Sequence, residues 1–546
     1  MKKLVSRFMA VLMAMTMILS MSMTAFAAGD ATRLTGTGKL TVNNTVAGKT
    51  LDLYQIFTAT KSGDNVAYTL NSAYEGFFQS KITDASTLTD EALSEKAYAY
   101  VKDQVGTDGS NGAAFAKDIM GWILGHTTTV ETTHKTAPTT DSSTVINNLD
   151  YGYYVVYPLG ATDTSTAPGN ETVKSVASLV SVTGNDATVN MKSNYPTVVK
   201  KVNDKNADDV NIGDTVTYTL TSKVPDMTGY TSYVFNFKDT LAKGLTFGSI
   251  TSVKIGDVTI NADTDGTKAE NTYTLTTKNN EDGTTEIKIE MNKFLDSNAN
   301  KAGQEIKVTY TATLNKDAVT GFDPNTNKAT VEYSNKPGTD EKGESEPSKV
   351  DVHTFDFTIF KYYLKDETKT GLANAEFELY KANAAGDAAD TNAKINIVKV
   401  EDGVYRQATP EEAAAKGFKS DVIVSGNNGK VLVKGLDAGT YYLRETKAPD
   451  GYNKLLSDIK VEIKANYDTT TGKLTNYTVT YTYNEVTNSS TSDSAETSPE
   501  VPVENKTGAQ LPSTGSKGAL MVTLAGIVLF GALTASKAFG KKKAKN

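Results

Sequence analysis

Residues 232–241 read SYVFNFKDTL. From Tyr233 every second residue points one way, through Phe235, Phe237, Asp239 and Leu241, and a period of two marks a strand with one face in a core. Asp239 sits inside that apolar row, so the alternation that defines the strand also aims a carboxyl inward. Two other stretches do the same with different chemistry. In VVKKV, 198–202, Lys200 shares a face with Val198 and Val202; a slip of one residue would put Lys201 there instead. In NKATVEYS, 327–334, Asn327 shares a face with Ala329, Val331 and Tyr333. An amine, a carboxyl and a carboxamide buried without purpose would each cost on the order of several kcal/mol.

Transamidation is the purpose these three groups suit. Burial disfavours charge, so Lys200 is expected to lose its proton and become a nucleophile while Asp239 keeps one and donates a hydrogen bond. Asp239 would polarise the carboxamide of Asn327 and shuttle a proton as the amine attacks and ammonia leaves, the folded core supplying the proximity. The reaction turns over once. Residues 355–363, FDFTIFKYY, repeat the pattern: Phe357, Ile359, Lys361 and Tyr363 share a face, as do Tyr441, Leu443 and Glu445, and Val501, Val503 and Asn505. Glutamate replaces aspartate in this second trio. Asn484 in TYTYNEV is the alternative acceptor to Asn505. Bonds from 200 to 327 and from 361 to 505 would close loops of about 100 residues or more, restricting the unfolded chain by on the order of 4 to 5 kcal/mol each.

Around these strands the chain reads as several β domains. Its 546 residues exceed one core, and three or four domains are expected. A net charge of −8 gives no basic surface for nucleic acid. Alternating stretches TVTYTLTSKV, TEIKIEMNKF and EIKVTYTATL fill 196–350 and predict an all-β sandwich. Residues 335–350, NKPGTDEKGESEPSKV, read as a polar linker or edge loop, and 487–500, TNSSTSDSAETSPE, as disordered. Between strand-like ends, 28–195 carries two segments of helical spacing, TDEALSEKAYAYVKDQV and AAFAKDIMGWIL. The expected class is all-β: tandem immunoglobulin-like sandwiches in a rod-like multidomain chain, the first with helical inserts. No inward lysine matched to an acid and an asparagine is legible in that first domain, and no internal bond is expected there.

The two ends speak of export. Lys2, Lys3 and Arg7 precede an apolar run and Ala25-Phe26-Ala27, a signal peptide over 1–27. An exported chain would ordinarily use disulfides, yet there is no cysteine, so any covalent staple needs other side chains. Leu511-Pro512-Ser513-Thr514-Gly515 precedes an uncharged stretch, 518–536, long enough to span a bilayer, and then Lys541, Lys542, Lys543 and Lys545. An extended pentapeptide outside a stop-transfer helix suits a cysteine transpeptidase cutting between Thr514 and Gly515. His126, His134 and His353 are scattered, and neither a metal site nor a cofactor is expected.

The tail resembles the sorting signal of Gram-positive surface proteins. KKV, IGDTVTYTL, KDTLAKGL and NKATVEYSN resemble the fimbrial isopeptide-forming domain, and GLDAGTYYLRETKAPDGY is similar to the E-box region of collagen-adhesin B-type domains. Together they resemble the backbone pilins of sortase-assembled pili. The resemblance implies domains at 196–350 and 351–506, with a sorting segment over 507–546. It implies Lys200–Asn327 and Lys361–Asn505 bonds with Asp239 and Glu445 as acids. Implied partners are a pilus-type and a housekeeping sortase, other copies of the chain, minor pilins and peptidoglycan, at the surface of a Gram-positive cell. In such pili the linking lysine commonly follows Tyr-Pro; here Tyr195-Pro196 precedes Thr197, and Lys192 is the candidate. Asn374 in GLANAEF stands where a small residue is usual, which questions the turn. A monomeric wall-anchored adhesin, binding a host protein or glycan, is the alternative function.

Overall fold

The computed structural model describes residues 35–106, 112–162, 176–192 and 194–507. The segment expected to be a signal peptide, the LPSTG motif, the apolar stretch at 518–536 and the lysine-rich tail lie outside these residues. Among the described residues no helix is long and apolar enough to cross a membrane.

The fold is β-rich and tandem. In the N-terminal part, strand Leu51–Ser62 is buried on both faces, which is why LDLYQIF reads as a continuous apolar run. One face packs with Leu40, Val42 and Val182 in a sheet-on-sheet core. The other receives α1 (Asp90–Val105) and α2 (Gly112–Gly125). Helix α1 starts where the Thr89 side chain accepts from Ala92 N, places Leu93, Ala97, Val101 and Val105 on one buried stripe, and stops at Gly106 with φ 76°.

The central part is a two-sheet sandwich. One sheet carries β1 (Val199–Val202) beside strand Thr215–Lys223; the opposing sheet carries β2 (Phe235–Leu241). The first sheet continues through β3 (Glu305–Leu314), and β4 (Asn325–Ser334) pairs antiparallel with β2 in the second. Alternation holds along β3, where Ile306, Val308, Tyr310, Ala312 and Leu314 are all buried. The stretch expected as a linker at 335–350 instead contributes strands Lys342–Glu344 and Ser348–His353 to the second sheet. Val350 and Val352 alternate and are buried, with His353 buried beside them, which is what the polar letters conceal.

The C-terminal sandwich follows after one residue, Thr354. Its first strand, β5 (Phe355–Lys365), lies across the core from β6 (Gly439–Lys447) and runs parallel to β7 (Glu500–Glu504). The run expected to be disordered, 487–500, is largely ordered: Val486–Ser492 is an edge strand paired with Leu474–Tyr483. The hairpin turns at Asn484 and Glu485, both at positive φ, as a tight two-residue turn requires. Hydroxyl pairs Thr478–Thr491 and Thr482–Thr487 link the strands, so Ser and Thr serve a solvent-facing ladder rather than a loop.

Adjacent domains are clamped together. Lys336, in the loop after β4, reaches back to the fully buried Asp52 at 2.9 Å and to Thr132 at 3.3 Å. Lys49 donates to Tyr333 Oη at 3.0 Å, and Tyr195 packs against both neighbouring cores. A side chain at Gly160, φ 83°, would meet Asn335 Oδ1 at 2.1 Å. At the next junction Asp209 accepts from Ala438 N at 2.7 Å and Tyr467 Oη at 2.9 Å. Removing one partner of a buried ion pair strands the other charge, at about 3 to 5 kcal/mol. Lys336→Ala is therefore expected to lower the stability of the N-terminal part by about 3 kcal/mol, read as an earlier urea transition and faster amide exchange in strand Leu51–Ser62. An unchanged transition would show the clamp to be idle.

Candidate functional site

The central and the C-terminal sandwich each hold a buried cluster of lysine, carboxyl and carboxamide. In the central one, β1 and β3 of one sheet present Lys200 and Tyr310, while β2 and β4 of the other present Asp239 and Asn327. Register explains the meeting: Asp239 lies opposite Ala329 and Asn327 opposite Leu241, which makes the two polar residues diagonal neighbours on one face. Lys200 approaches from across the core. Its amine contacts Asp239 Oδ2 and lies 2.7 Å from Tyr310 Oη. Tyr310 Oη is also 2.7 Å from Asp239 Oδ2 and accepts from Asn327 Nδ2 at 2.7 Å. Asp239 Oδ1 and Asn327 Oδ1 are buried without a hydrogen-bond partner. Lys201, the register alternative, faces outward to Asn206.

The C-terminal cluster has the same members on different strands. Lys361 on β5 and Asn505 just past β7 belong to neighbouring parallel strands, and Asn505 N donates to Tyr362 O at 2.9 Å. Glu445 enters from the other sheet on β6. Lys361 Nζ lies 2.9 Å from Glu445 Oε1, off the line of a hydrogen bond, and both side chains are wholly buried. Asn505 Nδ2 donates to Glu445 Oε2 at 3.2 Å and to Asn453 O at 2.6 Å. Leu455 N holds the same Glu445 oxygen at 2.7 Å. Here too the carboxamide oxygen of Asn505 lacks a hydrogen-bond partner, and Glu445 Oε1 meets the Lys361 amine without a well-aligned hydrogen bond. Asn484 is elsewhere, exposed in its hairpin turn and bonded to Ser457.

Burial dominates the electrostatics. It pushes the amines of Lys200 and Lys361 down to about 8, with Asp239 and Glu445 opposing the shift. Tyr310 is held well above its ordinary value by burial and then by Asp239, so its hydroxyl keeps its proton. No group of three or more His, Cys, Asp or Glu side chains arranged for a metal occurs among the described residues. Lys192 is exposed two residues beyond strand Ala187–Asn190. Asn374 adopts φ 64°, a left-handed conformation that asparagine tolerates, and its N–H bonds Ser425 O.

The sequence reading passed over Tyr310 and Asn453. The first had a signal, since an inward tyrosine in the alternation of β3 must find a partner for its hydroxyl. Asn453 acts through a backbone carbonyl and leaves none.

Residues 212–337 match the Gram-positive pilin backbone subunit 2, Cna-B-like domain, and residues 359–478 match the SpaA prealbumin-like fold domain. The chain is 26% identical over 328 residues to the trypsin-resistant surface T6 protein of Streptococcus pyogenes serotype M6, covering 56% of this chain and 52% of that protein. It is 26% identical over 277 residues to a fimbrial subunit type 2 of Actinomyces naeslundii, covering 49% and 50%. The chain thus matches about half the length of these curated relatives. The solved T6 backbone pilin of serotype M6 Streptococcus pyogenes aligns with a TM-score of 0.44 at 17% identity, over 89% of this chain and 100% of that one.

A chain carrying Asn327→Ala keeps the buried amine without its carboxamide neighbour. With Lys200 at about 8 in the fold against an ordinary 10.5, the unfolded state holds the extra proton between those values. Stability is then flat below about pH 8 and rises from there toward about 10.5. Urea unfolding across that range checks the sign; a falling curve contradicts it.

Proposed function

We propose that this relative of the Gram-positive backbone pilins is the shaft subunit of a covalently built surface pilus, its central and C-terminal sandwiches each locked by a Lys–Asn amide. One observation carries the reading: twice in one chain, a wholly buried lysine meets a carboxyl and a carboxamide in a buried core, and each time the amide oxygen lacks a donor. A structural ion pair would not explain this, because such pairs are often outdone by apolar residues of the same size.

With the shared proton on the acid, both deficits close. The amine is then neutral, and the acid supplies the donor that the free amide oxygen lacks. Lys200 Nζ attacks Asn327 Cγ, an Nζ–Cγ bond forms, the Cγ–Nδ2 bond breaks, and the proton lost by the amine departs with ammonia. Lys361 and Asn505 react in the same way with Glu445 as acid. The apolar surroundings and fixed strands provide proximity and electrostatic bias without another enzyme.

Export by the leader and cleavage between Thr514 and Gly515 by a sortase would then pass Thr514 to an amine of the next copy. Lys192 is the candidate acceptor, exposed beside the first domain junction. A housekeeping sortase would transfer the finished polymer to peptidoglycan, with minor pilins as further partners.

Intact mass tests the internal bonds. The mature chain is expected to weigh less than its residues by two ammonia molecules. Asp239→Ala and Glu445→Ala each restore one and lower stability by on the order of 4 kcal/mol; a full-weight wild type sinks the reading. Polymerisation is read separately in wall extracts boiled in detergent. A ladder of multimers that disappears in Lys192→Arg supports the shaft role, whereas a single wild-type band favours a monomeric adhesin.

A further inference from the structure

The Lys200–Asn327 site differs from the Lys361–Asn505 site in how its acid reaches the leaving nitrogen. Glu445 is long enough to accept directly from Asn505 Nδ2, at 3.2 Å. Asp239 is one methylene shorter, and the hydrogen bond from Asn327 Nδ2 runs to Tyr310 Oη instead. That oxygen lies 2.7 Å from Lys200 Nζ, from Asp239 Oδ2 and from Asn327 Nδ2 alike. A buried tyrosine needs one partner; this one touches every reacting group. Its ring is fixed by stacking on Tyr218, centroids 5.2 Å apart at 26°.

We infer that Tyr310 is a catalytic residue of the central domain, its hydroxyl relaying the proton from the attacking amine, by way of Asp239, to the departing nitrogen. The inference rests on the amide-bond reading above. In the planar carboxamide Nδ2 donates to Oη. Once Nζ has attacked and the carbon is tetrahedral, the nitrogen lone pair is no longer delocalised, and the same contact runs the other way. Nζ gives its proton to Asp239, Asp239 gives one to Tyr310 Oη, and the hydroxyl proton of Tyr310 moves to Nδ2, which leaves as ammonia. One proton departs from the amine and one arrives on the leaving group; Asp239 and Tyr310 finish as they began. The C-terminal domain uses its longer acid and needs no such hydroxyl.

Because the bonds form once, the test follows new chains. The full chain is made in a detergent-containing cell-free reaction, quenched at intervals and digested, and the two cross-linked peptides are quantified by mass. In Tyr310→Phe, which keeps the ring and its stack, the Lys200–Asn327 link is expected to form about a hundredfold more slowly, while the Lys361–Asn505 link in the same molecules keeps its rate. Amide exchange of β3 confirms that the variant has folded. Wild-type chains made in heavy water provide a second reading that no mutation can spoil: a relay of several protons slows the central link more than the C-terminal one. Equal rates in wild type and Tyr310→Phe, or equal isotope effects for the two links, overturn the relay. Absence of both links from wild-type chains overturns the amide-bond reading itself.

Discussion

Removing a lysine from water governs the chemistry of this chain. Lys200 and Lys361 have no exposed side-chain surface, and burial outweighs the pull of the adjacent carboxyl in setting their amines at about 8. A neutral amine is a nucleophile and an ammonium is not, so on the amide-bond reading the core that stabilises the fold would also prepare the reaction. The junction between the first two domains offers a contrast. Lys336 also meets a buried carboxyl, but its side chain keeps 17% of its surface and takes a second partner in Thr132. There is no carboxamide in that cluster of contacts, and the pair serves as a clamp.

The two clusters solve one problem with different strands. In the central sandwich the amine and carboxamide face each other across the core, on opposite sheets; in the C-terminal one they sit side by side on parallel neighbours, with the acid opposite. The sheet position of the acid is common to both. So is a hydrogen bond from the carboxamide nitrogen, accepted by Tyr310 in one and by Glu445 itself in the other. Similar clusters therefore do not require similar topology, provided that the polar groups share a buried interior.

Much of this was legible because strand alternation is a strict code. Asp239, Lys200 and Asn327 announce their direction through their neighbours, and a period of two leaves only one register to mistake, as with Lys201. What failed to show had no periodic signal. The strand Val486–Ser492 is solvent-facing on an edge, so Ser and Thr could stand where apolar letters would otherwise mark it. Ser348–His353 was hidden in a polar segment because half of it faces solvent. The Asp52–Lys336 pair joins residues from different domains, and alternation within one strand says nothing of a partner 284 positions away.

With both amides in place, tension along the chain takes a covalent shortcut through each sandwich. Force entering at β1 crosses from Lys200 to Asn327, and force in the C-terminal sandwich crosses from Lys361 to Asn505, so the loops they close carry none. The residues between the bonds, 328–360, remain in series. That segment includes most of β4, the loop bearing Lys336, and strand Ser348–His353 with its pairing to β4. Non-covalent contacts hold it, among them the ladders of β4 with β2 and with Ser348–His353, the Lys336–Asp52 clamp, and the hydrogen bonds of Asp356 with Thr320 and Tyr477. The clamp thereby acquires a mechanical meaning, because extending the loop of 328–360 that bears Lys336 means extracting a lysine from its buried carboxylate. On the amide-bond reading, the resistance between the two locks would reside there, in an ion pair and in strands paired on both sides.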